Sequence, residues 1–437
     1  MFTEGENQKM KYIISTLGCK VNQYETQAMD TLLRQHGHDS AAPGEIADAV
    51  IVNTCAVTAE SGRKSRQTIR RLRDENPGAV VAVCGCYSQL SPEEAEEIGA
   101  KVIFGAADRT GFVRAVEKAV AEGQGCRAVD APFQRRTFEK LPAGAVSGRT
   151  RAMLKIQDGC VNFCTYCIIP YTRGRLRSLP LADAAAETAR IREEGFRELV
   201  LTGIEVASYG VDLPGKPGLA DVIETVAAQA GDMRIRLGSL EPTVITEDFC
   251  RRLAATGKLC RHFHLSLQSG CDRTLKAMNR KYDTEGFYHA AELLREAFPG
   301  CGLTCDVITG FPGETEEDHA KTLAFLRRCA FSDMHVFPYS RRPGTPADSM
   351  PNQCDKALKA RRAHEAQTVG AELQQAFLTQ SVGKVLPVLF ETEEGRSSLG
   401  HSDTYVLVRA EGTNLRGQIL PVRITGVEGE RLRGEIV

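Results

Sequence analysis

The sequence lacks any apolar run long enough to span a bilayer, and its first ten residues lack the apolar segment of a secretion signal. It also lacks an excess of charge of either sign, with a formal net charge of −1. Internal repeats and low-complexity tracts are absent as well. These absences predict a cytoplasmic protein without membrane contact. They exclude a uniformly basic, nonspecific nucleic-acid binder, so any RNA contact must come from local basic patches.

Cysteine, by contrast, is plentiful, with 15 residues in a chain of 437. Cytosolic thiols are kept reduced, so a disulfide framework is not expected. Metal binding explains the cysteines better. The length predicts about three domains.

The densest cysteine group is the CxxxCxxC run of Cys160, Cys164 and Cys167, which follows an apolar strand pattern at 152–156. Three thiolates are one short of the four that close a structural zinc site, and their spacing differs from paired CxxC spacings. Soft thiolates at this density also suit an iron–sulfur cluster, and a cluster held by three cysteines keeps one iron open to a ligand. A zinc knuckle or an incidental cysteine cluster is the alternative.

Alternating strand and helix patterns over the first 140 or so residues predict an open, doubly wound parallel sheet. Cys19, Cys55 and Cys86 each fall just past one of its strands. Because ligands bind at the carboxyl edge of such sheets, we expect these three cysteines to converge on one point, although chance placement is an alternative. Cys84 lies inside a strand and is expected to pack as a small apolar residue.

Four segments follow from these patterns: an α/β domain over 10–126, a linker rich in Pro, Gly, Arg and Ser over 127–149, a barrel-forming core over 150–378, and a small β-barrel of OB-like size over 379–437. Repeated βα units in the core predict a full or partial parallel barrel. Polar residues at its strand ends should line one mouth, namely Thr202, Gly203, Ser239, Glu241 and Gln268.

Two basic clusters lie next to the cysteines and are candidates for binding RNA phosphates, although a solvated helix face explains the first equally well. The first follows Cys55 and the second follows Cys167. They comprise Arg63, Lys64, Arg66, Arg70, Arg71 and Arg73, and then Arg173, Arg175 and Arg177.

With these motifs in view, the chain resembles the radical S-adenosylmethionine (SAM) methylthiotransferase family over nearly its whole length. The resemblance rests on the three N-terminal cysteines, on the block from Asp158-Gly159-Cys160 to Arg173-Gly174-Arg175, and on a C-terminal segment similar to the RNA-binding TRAM module. The stretch from Gly18 to Glu25 is most like the branch that acts on N6-threonylcarbamoyladenosine in tRNA. Ile204-Glu205 and Ser402-Asp403 depart from the family pattern, at positions that vary among its members.

The resemblance implies a flavodoxin-like first domain, a radical-SAM partial barrel and a TRAM-like β-barrel. It also implies two [4Fe–4S] clusters, one on Cys160, Cys164 and Cys167 with SAM on its open iron, and one on Cys19, Cys55 and Cys86. The 5′-deoxyadenosyl radical made from SAM would then activate adenine C2, and another SAM would methylate the inserted sulfur. Tyr166, Thr202, Gly203, Ser239, Glu241 and Gln268 would contact SAM.

The implied partners are the tRNA anticodon stem-loop and an electron donor such as flavodoxin or ferredoxin. Alternatives are a methylthiotransferase acting on N6-isopentenyladenosine in tRNA or on a ribosomal protein, a radical-SAM porphyrinogen oxidase, and a non-catalytic RNA-binding iron–sulfur protein. Cys19, Cys55 and Cys86 disfavour the oxidase, which should lack them, and SAM cleavage would eliminate the non-catalytic protein.

Overall fold

A computed structural model describes residues 9–142 and 150–437. Part of the predicted linker, residues 143–149, lies outside the described residues. None of the helices in the described ranges is both long and apolar enough to cross a bilayer.

The N-terminal segment folds into one six-stranded sheet in the order β2-β1-β3-β4-β5-β6, with every pairing parallel. Apolar residues cover both of its faces, and β3 is buried along its whole length, which is typical of a strand with helices on both sides. The predicted doubly wound sheet is therefore confirmed. Its strands are β1 (Lys11–Thr16), β2 (Asp39–Ser40), β3 (Ala49–Thr54), β4 (Val80–Gly85), β5 (Val102–Phe104) and β6 (Cys126–Ala128). Its helices are α1 (Lys20–Gln35), α2 (Ala59–Glu75), α3 (Cys86–Leu90), α4 (Pro92–Glu97) and α5 (Arg109–Glu122).

Three short strands, β2, β5 and β6, were not among the predicted ones. With two or three residues each, they are too short to show a hydrophobic pattern of their own. Pairing defines them instead, β2 with β1, β5 with β4, and β6 with β5. Strand β6 crosses from the predicted α/β domain into the predicted linker.

The central segment forms a partial barrel from two four-stranded sheets, β10-β9-β7-β8 and β11-β12-β13-β14. Only Gly238 separates β10 from β11, so the chain passes directly from one sheet into the other. The strands pair in parallel, except that β8 runs antiparallel to β7. The predicted partial parallel barrel is confirmed. Its strands are β7 (Arg151–Asp158), β8 (Arg177–Ser178), β9 (Glu198–Gly203), β10 (Arg234–Leu237), β11 (Ser239–Leu240), β12 (His262–Gln268), β13 (Gly302–Thr309) and β14 (Asp333–Pro338). Its helices are α6 (Ile169–Arg173), α7 (Leu181–Glu193), α8 (Leu219–Gln229), α9 (Glu247–Ala255), α10 (Asp272–Ala277), α11 (Thr284–Ala297) and α12 (Glu316–Cys329).

The barrel has an apolar outer face and a polar inner face, because alternate residues of each strand point to opposite sides. Leu199 and Leu201 of β9 join the main core, whereas Glu198 points to the other side and pairs with Arg236 at 2.8 Å. Glu198 is wholly buried; burial alone would raise its pKa, but the surrounding arginines outweigh burial and hold the pKa well below the usual range.

Helix α13 (Lys356–Ser381) leads into a closed five-stranded β-barrel, as predicted. This barrel inserts Tyr405 against the central one, where its ring stacks on His262 at 4.8 Å and on His401 at 4.9 Å. Arg236 also donates to the Ser402 carbonyl. The C-terminal barrel therefore closes the end of the central barrel opposite the strand carboxyl ends. Its strands are β15 (Val385–Glu394), β16 (Ser397–Ser402), β17 (Leu407–Glu411), β18 (Ile419–Glu428) and β19 (Arg431–Ile436).

Helix α1 of the N-terminal sheet packs against β7 and β9. Tyr24 and Ala28 of this helix belong to the same apolar core as the barrel strands, and the Tyr24 hydroxyl donates to the Leu141 carbonyl at 2.9 Å. The two units are therefore joined through α1, with the carboxyl edge of the sheet next to the mouth of the barrel.

Candidate functional site

The CxxxCxxC loop starts at the end of β7, where the backbone turns sharply. Gly159 has a φ of +77°, and a Cβ there would overlap the carbonyl oxygen of Arg175, so only glycine fits. The Cys160 amide donates to the Gly174 carbonyl at 3.0 Å, and the Cys167 amide donates to the Cys164 carbonyl at 2.9 Å. These bonds fold the loop so that Cys160, Cys164 and Cys167, here called the loop triad, share one small region.

The loop is also held from the opposite side of the barrel. Thr165 donates its backbone amide to the Met278 carbonyl at 3.1 Å and its hydroxyl to the Ala277 carbonyl at 2.9 Å. The Asn279 side chain donates to the carbonyls of Asn162 and Phe163 at 3.2 and 3.0 Å. The loop triad is therefore fixed in place by the end of α10 and the residues that follow it.

Arg280 is a charged residue in direct contact with the loop triad. Its Nη1 donates to the Cys164 Sγ at 3.2 Å, and its Nη2 donates to the Glu241 carboxylate at 2.6 Å and to the Ser266 carbonyl at 3.1 Å. The Arg280 side chain is 4% exposed. A buried guanidinium in this position stabilises negative charge on Cys164.

A second set, Cys19, Cys55 and Cys86, here called the N-terminal triad, lies at the carboxyl ends of three neighbouring strands. In the sheet, Thr54 pairs with Gly85, which sets Cys55 beside Cys86. Gly18 has a φ of +99°, and a Cβ there would lie 2.7 Å from the Cys55 Sγ, so the Gly18-Cys19 turn closes on Cys55. The structure thus brings the three cysteines of the predicted site together.

The two triads lie near each other. Burial is the main reason that the pKa of the Cys167 thiol rises to about 12, and the nearby thiol of Cys86 adds to the increase. The pKa of Cys55 is also raised, mainly by burial and secondly by the Cys86 thiol, whereas Arg173 lowers it. Thiols with a raised pKa stay protonated at neutral pH, so binding of a cation at either triad must displace protons.

Arg173 lies between the triads and joins the two units. It is wholly buried, and it donates to the Asn22 side chain at 2.7 Å and to the Glu25 carboxylate at 3.2 Å. It also pairs with Asp158, two residues before Cys160. Asn22 and Glu25 belong to the stretch from Gly18 to Glu25, so this motif serves to bind the barrel to the sheet.

The prediction that Arg173 and Arg177 bind RNA phosphates is wrong. Arg177 is 3% exposed and pairs with Asp158 at 3.4 Å. Both guanidinium groups are engaged by buried carboxylates, so neither reaches a phosphate. Arg175 lies between these two arginines, separated from each by one residue, and its side chain is exposed.

A cavity of about 220 Å³ lies between the N-terminal sheet and the barrel. Val57 and Thr58, which follow Cys55, form one wall, and Tyr166 of the cysteine loop and Gln268 at the end of β12 line it from the barrel side. Gln268 has a φ of +68°, a backbone conformation that residues other than glycine rarely adopt. Of the residues predicted to contact SAM, Tyr166 and Gln268 thus share one cavity.

The other predicted SAM residues are spread over the barrel mouth. Thr202 is buried at the end of β9, Ser239 is exposed, and Glu241 is held by Arg280. Gly203 is crowded, because a Cβ there would lie 2.8 Å from Val206 and 2.9 Å from the Gln157 carbonyl oxygen. Crowding explains this glycine without a ligand.

Glu205 and Arg342 are site residues that were not predicted. The Glu205 carboxylate is buried beside Cys160, and its Oε2 has no hydrogen-bond partner within 9–142 and 150–437. Burial raises its pKa. Arg342 lies near Cys55, and its buried Nε likewise lacks a partner in the described part of the chain. Glu205 belongs to a pair of residues that departs from the family pattern, which was a signal for it in the sequence. Nothing in the sequence around Arg342 pointed to a role in the site.

Helix α2 carries the first basic cluster on its surface, where several members are paired within the protein. Arg63 pairs with Glu60, Arg71 with Glu75, and Arg66 with Glu94. Lys64 and Arg70 are exposed, and no ion pair to either of them is found among the described residues.

The donor set suits an iron–sulfur cluster better than a single ion. Among the residues described, no three His, Cys, Asp or Glu side chains are close enough together to hold one metal ion. A cluster contains several iron atoms, so its ligands stand farther apart. Three soft thiolates and the Arg280 donor to sulfur fit such a cluster. The Glu205 oxygen without a partner can accept from an ammonium group, which fits SAM bound to the cluster.

Comparison with known proteins identifies two family models in the chain. The radical SAM superfamily matches residues 154–326, and the uncharacterized protein family UPF0004 matches residues 11–105. The first contains the loop triad and the second contains the N-terminal triad.

The chain is similar to solved radical-SAM structures over most of its length. A radical S-adenosylmethionine methyltransferase, TsrM from Kitasatospora setae, superposes with a TM-score of 0.56 at 16% identity and covers 78% of this chain and 77% of that one. The cobalamin-dependent enzyme OxsB superposes with a TM-score of 0.52 at 13% identity, covering 83% of this chain and 56% of that one. These likenesses show the fold.

Curated relatives match almost end to end. Threonylcarbamoyladenosine tRNA methylthiotransferase MtaB of Bacillus subtilis is 39% identical over 94% of this chain and 92% of the relative. MtaB of Thermotoga maritima is 34% identical over 95% of both chains. A tRNA-2-methylthio-N(6)-dimethylallyladenosine synthase of Alkaliphilus oremlandii is 34% identical over 100% of this chain and 94% of the relative. The chain belongs to the radical-SAM methylthiotransferase family and is a sulfur-group-transferring enzyme that uses SAM and a [4Fe–4S] cluster.

Proposed function

We propose that this enzyme adds a methylthio group to adenine C2 of N6-threonylcarbamoyladenosine next to the anticodon of tRNA. The observation that carries the proposal is the closeness of the two cysteine triads, whose units Arg173 joins beside a cavity that both units line. The choice of nucleoside is supported by relatives of 34–39% identity that bear the threonylcarbamoyladenosine name.

The loop triad would hold the cluster that binds SAM, and the N-terminal triad would hold a second [4Fe–4S] cluster. Bound there, these groups supply the radical, the sulfur and the methyl group of the reaction. The chain itself then has to orient them and exclude water.

Arg280 performs part of this task, because it fixes Cys164 and Glu241 relative to each other through one guanidinium. With both Glu241 oxygens bonded to Arg280, the carboxylate is held rigidly at the barrel mouth. Glu205 would accept from the SAM ammonium group, which satisfies its orphaned oxygen.

The cavity would receive the adenine, and the walls from both units would keep water from it. Tyr166 and Gln268 line the cavity on one side, and Val57 and Thr58 line it on the other. Exclusion of water protects a reactive radical from side reactions.

Contacts to the tRNA backbone would come from Lys64 and Arg70 on α2, from Arg175, and from the C-terminal β-barrel. Arg63 and Arg66 would contribute less because Glu60 and Glu94 already pair with them. In this proposal the segments 10–126, 150–378 and 379–437 act as sulfur-carrying, radical-generating and RNA-binding domains, and 127–149 links the first two.

The test is a competition in vitro between anticodon stem-loops that differ only in the target nucleoside. The reconstituted enzyme, SAM and a reductant are mixed with equal amounts of stem-loops carrying threonylcarbamoyladenosine, isopentenyladenosine or adenosine. The products are then identified and quantified by mass spectrometry. We expect a methylthio adduct on the first alone. A preference for the isopentenyl stem-loop would keep the reaction and overturn the choice of nucleoside.

A further inference from the structure

An exposed aromatic patch covers the CxxxCxxC loop, and the reaction proposed above assigns it no role. Val161 and Phe163 lie between Cys160 and Cys164 and are 43% and 39% exposed. Phe133, from the segment that follows the N-terminal sheet, is 37% exposed and stacks on Phe163 at 6.1 Å. Tyr171 of α6 packs edge-on against both phenylalanine rings at 6.4 and 6.0 Å. We call these four residues the aromatic patch.

The chain holds Phe163 in this position at a conformational cost. Its φ is +48°, in the left-handed region that bulky residues avoid. The Asn279 side chain, which donates to the Phe163 carbonyl at 3.0 Å, helps to keep the backbone there. Strain that displays an apolar ring to water, directly between two cysteines of the loop triad, indicates a binding surface.

Cations border the aromatic patch. Arg136 donates to the Phe133 carbonyl at 2.6 Å, and Lys281 donates to the Asn279 side chain at 2.8 Å. Both residues are exposed, and in the part of the chain described here neither has an ion pair with a carboxylate. An apolar centre with uncompensated positive charges at its rim fits a partner whose own apolar contact is surrounded by acidic residues.

We propose that the aromatic patch is the docking surface for an acidic one-electron carrier protein of the flavodoxin or ferredoxin class. One electron leaves the reduced carrier, which is thereby oxidised by one electron, and enters the cluster on the loop triad, which is reduced by one electron; no bond forms or breaks and no proton moves. The patch is suited to this because Phe163 is bonded directly to Cys164 in the chain. Electron-transfer encounters are small and transient, which matches a patch of four side chains. This inference rests on the family's cluster and is independent of which RNA is the substrate.

The experiment compares two reductants on the cluster-loaded enzyme. The double variant Arg136→Glu/Lys281→Glu reverses the rim charge, and Phe133→Ser removes one exposed ring that lies outside the cysteine loop. The control Arg251→Glu/Lys321→Glu makes the same change of charge on α9 and α12, far from the loop in sequence. Reduction by flavodoxin with its reductase, or by dithionite, is followed by absorbance, and flavodoxin affinity is measured by titration at low salt.

We expect the rim variant and Phe133→Ser to reduce the flavodoxin-dependent rate and affinity by about tenfold or more, while the dithionite rate stays at the level of the control. Flavodoxin rates equal to those of the control would overturn the proposal. Loss of the dithionite rate as well would overturn it too, because the residues would then act on the cluster itself. A loss of tRNA affinity with intact flavodoxin reduction would identify the patch as an RNA surface instead. Failure of RNA modification by the wild type, by contrast, would bear only on the proposed function.

Discussion

The carboxylate of Glu25 and the guanidinium of Arg173 meet at 3.2 Å in the interior, one from the first helix of the N-terminal sheet and the other from the helix after the cysteine loop. Arg109 and Lys155 also reach this carboxylate, at 3.1 and 3.3 Å. Glu25 thus pairs with three buried cations at the junction of the two units that carry the triads, and it shares two of them, Arg173 and Lys155, with Asp158.

Replacement of Glu25 by glutamine should therefore destabilise the protein strongly. It leaves Arg109 without its carboxylate partner and leaves Arg173 and Lys155 with Asp158 alone, which costs about 3–5 kcal/mol. Urea unfolding of the metal-free protein measures the loss. Glu60→Gln, which breaks the exposed pair with Arg63, is the control and should cost under about 1 kcal/mol. Equal effects of the two variants would contradict the role of Glu25.

The same pair predicts a dependence on pH. Burial alone would raise the pKa of Glu25, but Arg173, Arg109 and Lys155 outweigh it and lower the pKa to about 2. A carboxyl with a depressed pKa stabilises the fold above its unfolded value of about 4.3 and loses that contribution as the pH falls toward 2. The unfolding free energy of the wild type should thus fall more steeply below pH 4 than that of Glu25→Gln. Parallel curves would contradict a depressed pKa of Glu25 in the folded protein.

The hydrogen bond from Arg280 to Cys164 should tune the reduction potential of the cluster. Arg280→Gln removes a charged donor to a ligand sulfur, so reduction becomes harder and the midpoint potential falls. The expected shift is on the order of 60 mV, the one-electron equivalent of about 1.4 kcal/mol. Redox titration followed by electron paramagnetic resonance measures it, with Arg273→Gln, on the outside of the barrel, as the control. An unchanged potential with intact iron content would show that the bond has no electronic role.

The second cluster can be tested through the metal content. Cys55→Ala should lower the iron per monomer by roughly half and abolish methylthiolation, whereas SAM cleavage at the loop triad stays measurable. Cys84→Ala removes a thiol of β4 that lies two residues before Cys86 and packs in the apolar core, so its iron content should equal that of the wild type. Unchanged iron in Cys55→Ala would refute the second cluster.

The basic residues of helix α2 that pair with carboxylates and those that do not should contribute differently to RNA binding. Lys64→Glu and Arg70→Glu should weaken tRNA affinity and lower the slope of its salt dependence by about one unit for each lost phosphate contact. Arg63→Glu and Arg71→Glu, whose positive charges Glu60 and Glu75 already balance, should have smaller effects. Equal losses in all four variants would show that the helix acts through total charge alone.

Much of the fold could be predicted from sequence because long strands such as β3 and β12 carry their pattern locally. The convergence of Cys19, Cys55 and Cys86 followed from their positions after parallel strands. The roles of Arg173 and Arg280 could not be predicted in this way. Each depends on a partner far along the chain, Glu25 for the first and Cys164 for the second, and a basic residue that binds a buried carboxylate looks the same in sequence as one that binds a phosphate.

Mass spectrometry of tRNA nucleosides tests the proposed function in the cell, using a strain that lacks this gene and is complemented with the wild type or with Cys164→Ala. We predict that 2-methylthio-N6-threonylcarbamoyladenosine is lost on deletion and restored by the wild type alone. Loss of the isopentenyl analogue instead would contradict the proposed substrate, and unchanged tRNA would contradict the proposed function itself.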